Sequence, residues 1–203
     1  MEEVEYSDKI ILALREKYRQ IQAQREAIGD EILIGNQRIA AQRIELFEGK
    51  CSMILPENMQ DMPELEREVQ YRSSNRPVVI KTIPDRTATF TLDKYTAENE
   101  EVTVKLKKLC QDMKKVWKQN VFYDTGIVQA EKIQVGWLDY KAFCATGNFY
   151  AMTFLFDLEG IDYIGNFHCS FAKYDIWKSV ILKLLTTIRS EGGKEEENES
   201  RAD

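Results

Sequence analysis

The stretch FYAMTFLF at residues 149–156 decides the fold, because it carries large apolar side chains at successive positions. Successive residues of a β-strand point to opposite faces of a sheet. In this stretch one face holds Tyr150, Met152, Phe154 and Phe156, and the other holds Phe149, Ala151 and Leu155. A strand that is apolar on both faces is typical of the centre of a sheet covered on both sides.

Three further strands are predicted around this stretch, at about residues 122–130, 134–144 and 162–170. The turn residues ATGN at 145–148 and EG at 159–160 separate the last three strands. Short turns of this kind join antiparallel neighbours. The second half of the chain therefore predicts an antiparallel meander.

Two segments, at about residues 99–119 and 173–189, have the three- and four-residue apolar spacing of amphipathic helices. The apolar face of the first is Val102, Leu106, Leu109, Met113, Val116 and Trp117. The second helix is predicted to bury one face, made of Tyr174, Trp177, Val180, Ile181, Leu184, Leu185 and Ile188. We expect these helices to flank the sheet.

The segment from 44 to 92 predicts shorter elements. Residues 45–55 resemble a strand with a glycine bulge that ends at Pro56, and residues 63–71 resemble a short helix with proline in its first turn. Residues 78–80 and 87–92 predict two strands joined by a turn at Pro84 and Asp85.

Residues 8–42 are predicted to form one long helix, since no proline precedes Pro56. Apolar residues recur there at three- and four-residue steps, as in a coiled coil, with interruptions at Arg25, Gly35 and Gln42. The residues of this stripe that we predict to bind a partner are Leu14, Tyr18, Ile21, Ile28, Ile32 and Ile39.

Such a stripe has two uses. It can pair with a partner's helix or with a second copy of the chain, which would give a homo-oligomer. It can also lie on the chain's own domain as an ordinary amphipathic helix. The sequence leaves both uses open.

Composition and charge narrow the class of protein. The 203-residue chain has a net charge of −6, so we expect no nucleic-acid partner, which would require a positive field. No run of 18 apolar residues occurs, so we expect no membrane span. The first ten residues, MEEVEYSDKI, do not form a signal peptide, and the four cysteines lack CxxC spacing. We therefore expect a cytoplasmic protein with reduced thiols.

The single histidine, His168, is the main candidate for acid–base chemistry. It lies beside Cys169 in a predicted strand, so the two side chains point to opposite faces and cannot act as a nucleophile–base pair. One histidine without paired cysteines does not predict a zinc site. We therefore expect no enzyme activity, no metal and no cofactor.

Several local runs between residues 44 and 188 occur in a familiar order. They are MILPE at 53–57, RPVVI at 76–80, the lysine-rich helix that ends at Trp117, IGNFHC at 164–169, YDIW at 174–177 and LTTI at 185–188. This pattern resembles the DcrB-like proteins of the PsbP-like superfamily. The resemblance implies an antiparallel sheet flanked by helices and a binding scaffold without catalytic residues. Relatives in that family include the Eag-type chaperones of Rhs toxins, and the long N-terminal helix is an addition to the family's usual length.

Together these features predict an α+β fold, in which an antiparallel sheet flanked by helices follows a long, coiled-coil-like N-terminal helix. The predicted parts are the helix at 1–43, a DcrB-like α/β domain at 44–189 and a disordered acidic tail at 190–203.

The leading functional hypothesis is a non-catalytic adaptor or chaperone that binds another protein, such as a secreted toxin or effector. The alternative is an immunity-type inhibitor, whose acidic surface meets a basic face of a cognate toxin and whose binding weakens with salt. A third hypothesis is a small-ligand-binding or enzyme domain with a pocket between sheet and helix.

Overall fold

The structure is a computed structural model, which describes residues 28–73, 76–96, 100–145 and 147–191. Of the described residues, 51% lie in strands and 23% in helices. The predicted α+β class is therefore wrong, because the described part is mostly β and contains two antiparallel sheets.

The elements have the following bounds. The strands are β1 (Glu31–Ile34), β2 (Gln37–Leu46), β3 (Cys51–Pro56), β4 (Gln60–Asp61), β5 (Val79–Thr82), β6 (Ala88–Tyr95), β7 (Val121–Ala130), β8 (Ile133–Cys144), β9 (Gly147–Leu158), β10 (Ile161–Ser170) and β11 (Arg189–Ser190). The helices are α1 (Glu64–Gln70), α2 (Val102–Val116), α3 (Tyr174–Leu185) and a short 3-10 helix (Phe171–Lys173).

The larger sheet has seven strands in the order β4-β5-β6-β10-β9-β8-β7, and every neighbouring pair is antiparallel. Strands β7 to β10 follow one another in space, so the predicted meander is confirmed. Within this sheet, β9 lies between β8 and β10 near the centre.

The two faces of β9 belong to two different apolar cores, as the opening stretch predicted. Tyr150 and Phe154 lie in the main core, whereas Ala151 and Leu155 lie in a second core. The main core includes Trp177, Ile181 and Leu184 of α3. The second core includes Val102, Leu106 and Met113 of α2. The two long helices of the described part therefore cover opposite faces of the same sheet.

The smaller sheet has four strands in the order β1-β2-β3-β11, and it packs on the main core. Its buried apolar residues include Ile32, Leu46, Met53 and Leu55. Strand β11 pairs with β3, so residues close to the two ends of the described chain meet in one sheet.

The predicted helix at 8–42 is wrong over residues 28–42, which form no helix, and residues 8–27 lie outside the described part of the chain. The chain forms β1, a two-residue turn at Gly35 and Asn36, and then β2. Gly35 has a φ of +60°, which suits the first central position of a hairpin turn. This turn places Ile32 opposite Ile39, so a seven-residue spacing that suggested a heptad is a cross-strand pair.

Both boundaries predicted between the three parts of the chain fall inside strands. The boundary between 43 and 44 falls within β2, and residue 190, where the tail was predicted to begin, belongs to β11. Residues 192–203 of that tail lie outside the described residues. None of the helices described for this chain is both long enough and apolar enough to cross a membrane.

Candidate protein-binding surface

The six residues predicted to bind a partner do not form one stripe in the described structure. Three of them, Leu14, Tyr18 and Ile21, lie outside the described residues. Ile32 is buried in the main core, and Ile28 packs against that core with its side chain half-buried. Ile39 lies half-buried on β2. Partner binding by these six residues stays a prediction.

Exposed aromatic side chains gather around a lysine on another part of the molecule. We call this the aromatic surface, and its residues are Tyr123 of β7, Lys141 and Phe143 of β8, Phe171 of the 3-10 helix and Tyr174 of α3. The exposed fractions of Tyr123, Phe143 and Tyr174 are 45%, 42% and 37%. The prediction that Tyr174 belongs to the buried face of its helix is therefore wrong.

The aromatic surface is continuous. The Nζ atom of Lys141 lies 5.0 Å from the ring centroid of Phe143 and 4.3 Å from that of Phe171. The Phe171 ring stacks on Tyr174 at 5.4 Å and contacts Tyr123 at 6.5 Å, both measured between centroids. A cation over aromatic faces is an attractive contact, so Lys141 helps to hold these rings together.

A β-bulge in β7 brings that strand's residues toward α3. The register between β7 and β8 shifts between Phe122 and Thr125, so Tyr123 and Asp124 lie at the irregularity. Bulges change the direction of side chains along a strand. Here Tyr123 contacts Phe171, and the Asp124 carboxylate lies 2.7 Å from the Nζ atom of Lys178 on α3.

A buried carboxylate supports this surface from below. Asp139 of β8 is almost fully buried and accepts hydrogen bonds from the backbone N–H of Asp124 at 2.8 Å and the hydroxyl of Tyr150 at 3.0 Å. Its other contact is an ion pair with Lys178 at 2.8 Å. A buried charge requires such partners, because desolvation without them costs several kcal/mol.

This network also fixes protonation states and positions α3. Burial, together with the charge of Asp139, raises the pKa of Tyr150, which keeps its hydroxyl a donor. Burial lowers the pKa of Lys178, but its hydrogen bonds to Asp124 and Asp139 outweigh that effect and the net shift is upward. Tyr174 lies one helical turn before Lys178, so the same ion pairs hold Tyr174 beside Phe171.

His168 and Cys169, the residues considered for catalysis, are not part of the aromatic surface. His168 pairs with Thr89 and Ala151 within the sheet, and burial lowers the pKa of its imidazole. Cys169 is buried in the main core, so it lies on the face opposite to His168, as strand alternation predicted. Among the described residues, no group of three or more histidine, cysteine or acidic side chains is placed to hold a metal ion.

Sequence reasoning missed the aromatic surface. Its residues come from three separate segments, near 123, 141–143 and 171–174. Each segment follows an ordinary strand or helix pattern by itself. Only the pairing of β7 with β8 and the docking of α3 bring the segments together.

Neither a protein-family model nor a curated protein sequence matches the chain. Solved structures do resemble it. Cyanobacterial PsbP (CyanoP) from Synechocystis sp. PCC 6803 has a TM-score of 0.55 and 9% identity, and the match covers 82% of this chain and 98% of that one. A protein from Bacteroides thetaiotaomicron has a TM-score of 0.52 and 8% identity, with 76% of this chain and 50% of that one covered.

The immunity protein TplEi of Pseudomonas aeruginosa matches with a TM-score of 0.38 and 10% identity, covering 89% of this chain and 84% of that one. A score at that level carries no argument about this chain. The likeness to cyanobacterial PsbP shows that the chain has a PsbP-like fold. At 9% identity it shows the fold alone.

Proposed function

We propose that this chain is a non-catalytic module that binds another protein through the aromatic surface. The observation that carries the proposal is the group of exposed rings of Tyr123, Phe143 and Tyr174, which Phe171 and Lys141 join into one surface. Tyrosine and phenylalanine are enriched at protein interfaces, and a few aromatic anchors supply most of the binding free energy. The Asp139 network preorganises these anchors, which lowers the entropic cost of binding.

The non-catalytic part of the proposal is supported by where the reactive side chains lie. Cys169 is buried in the main core, and burial raises the pKa of its thiol to about 12, which disfavours the nucleophilic thiolate. The pKa of His168 is lowered by burial, and no nucleophilic side chain hydrogen-bonds to its ring among the described residues. A general base needs such a partner within hydrogen-bond reach.

Within this class we propose an adaptor or chaperone whose client is a secreted protein such as a toxin. The support is the resemblance of residues 44–188 to DcrB-like proteins, whose relatives include toxin chaperones. The sequence runs that carry this resemblance overlap β3, β5, α2, β10 and α3 of the structure. The alternative, an immunity-type inhibitor, is favoured by the net charge of −6, which is complementary to a basic toxin.

The test is co-isolation of partner proteins with the tagged full chain and with the variants Tyr123→Ser and Phe143→Ser. Loss of one hot-spot aromatic costs about 2 kcal/mol, so we expect about thirtyfold weaker retention of the partner. The matched control is Leu65→Ser, which removes an exposed apolar side chain on α1 outside the aromatic surface. Equal retention by all three variants would contradict the proposed surface.

The salt dependence of binding distinguishes the client of a chaperone from the toxin bound by an inhibitor. A chaperone that holds apolar segments should retain its client when the salt concentration rises from about 0.05 to 0.5 M, since screening acts on charges. An inhibitor that meets a basic face should lose its partner over that range.

A further inference from the structure

A groove lies on the opposite face of the seven-stranded sheet, beside α2. It has a volume of about 290 Å³. One wall is formed by Leu109 and Met113 of α2 and by Trp117, which directly follows the helix; the three are spaced four residues apart. The floor of the groove is formed by Tyr140, Thr153 and Asn166 of the sheet. We call it the α2 groove. None of the residues of the aromatic surface lines it.

Hydrogen bonds hold the floor of the α2 groove in place. The side-chain amide of Asn166 donates to the Thr153 hydroxyl at 2.9 Å and to the Tyr140 hydroxyl at 3.3 Å. The Thr91 hydroxyl donates to the backbone carbonyl of Asn166 at 3.2 Å. These contacts join four adjacent strands, β6, β10, β9 and β8, which favours a floor that is already shaped before a ligand binds.

Asp93 is the one charged residue among the described residues that line the groove. It is half-buried, and its carboxylate accepts a hydrogen bond from the backbone N–H of Lys94 at 2.9 Å. Among the described residues, no ion pair to this carboxylate is present. A half-buried carboxylate without a counter-ion attracts a cation, because its charge is only partly solvated.

The aromatic wall favours the same kind of ligand. Trp117 is 40% exposed, and its ring stacks on Tyr140 with centroids 6.3 Å apart at an angle of 20°. An exposed indole face attracts ammonium groups through its quadrupole. Apolar side chains at Leu109 and Met113 then provide a surface for an aliphatic stem.

We propose that the α2 groove binds a small organic cation, an ammonium group on an aliphatic stem. The ammonium pairs with Asp93 and lies against Trp117, while the stem packs on Leu109 and Met113. The volume of about 290 Å³ is at the lower end for ligand sites, which suits a stem of a few carbons.

The test uses three probes with the same stem: hexylammonium, hexanol and hexanoate. Titration calorimetry on the full chain should show hexylammonium binding roughly two- to thirtyfold more tightly than hexanol, the range that cation–π contacts span. Hexanoate should not bind, because Asp93 repels it. No detectable binding of hexylammonium, or equal binding of hexanol, would overturn the proposal.

Two variants locate the site. Asp93→Asn keeps the side-chain shape and should weaken hexylammonium binding, because it removes the ion pair and leaves only the contact with Trp117. Asp112→Asn is the matched control, since it removes the same charge from an exposed position on α2 that does not line the groove. Equal weakening by both variants would assign binding to net charge alone and overturn the site. Thermal unfolding of each variant checks that the fold is retained.

Discussion

At the scale of single residues, Gly165 shows how closely the main core is packed. Gly165 of β10 pairs with Phe154 of β9, and the Phe154 ring lies in the space that a side chain at 165 would occupy. A Cβ atom at this position would overlap three atoms of that ring. The glycine is therefore required by an aromatic neighbour and not by a turn.

We predict that Gly165→Ala lowers the free energy of unfolding by about 1–3 kcal/mol, because over-packing forces the Phe154 ring out of its position. Urea unfolding measures the change. Gly29→Ala is the matched control, since nothing lies within 4 Å of an added Cβ there. If the two variants were equally stable, the account of the Phe154 contact would be wrong.

At the scale of secondary-structure elements, each long helix of the described part is joined to the sheet by an apolar face and by a lysine. Lys178 joins α3 to Asp139. Lys105 joins α2 to Asp162 of β10, with 2.6 Å between Nζ and Oδ1 and both residues buried. The apolar faces supply the free energy of docking, whereas a directional ion pair favours one position along the sheet.

We predict that Lys105→Met lowers the free energy of unfolding by about 3–5 kcal/mol, since it leaves the buried Asp162 without its partner. Chemical denaturation measures the loss. Adding Asp162→Asn to this variant should recover part of it, because the uncompensated charge is gone. As a control, Lys115→Met removes an exposed pair with Asp112 and should change stability by less than about 1 kcal/mol.

At the scale of the whole molecule, the two sheets share one core, and buried thiols lie within it. Cys51 is in the smaller sheet and Cys169 is in the larger sheet. Burial raises the pKa of Cys51 to about 11 and that of Cys169 to about 12 from an ordinary value of 9.0. Because the folded-state pKa values lie above the unfolded value, the neutral thiols stabilise the fold fully below pH 9.

We predict that the free energy of unfolding falls as the pH rises above 9, because the two thiols then ionise in the unfolded chain but stay neutral in the folded one. At pH 10 each should lower the free energy of unfolding by roughly 1 kcal/mol relative to pH 8. Urea midpoints at the two pH values measure the fall. Cys51→Ala and Cys169→Ala should each make the fall smaller, while Cys144→Ala, at an exposed thiol, should leave it unchanged.

Much of the larger sheet was predictable from sequence, because local patterns encode it. The strand predicted at 134–144 is β8 (Ile133–Cys144), and the one at 162–170 is β10 (Ile161–Ser170). Side-chain alternation and short turns act between near neighbours, so a single sequence contains them. The wrong prediction of a helix over residues 28–42 also comes from a local pattern, because the spacing of Ile32 and Ile39 fits a heptad and a hairpin equally well.

The sequence by itself determined the meander, the two amphipathic helices and the two-sided burial of residues 149–156. Only the tertiary structure decided that residues 31–56 join β11 in a second sheet, that Tyr123, Phe143 and Tyr174 form one surface, and that Asp93 and Trp117 line the same groove. The physical reason is the range of the interactions. Periodicity reports which face of an element is apolar, whereas a site is made by long-range strand pairing and helix docking, which no local pattern specifies.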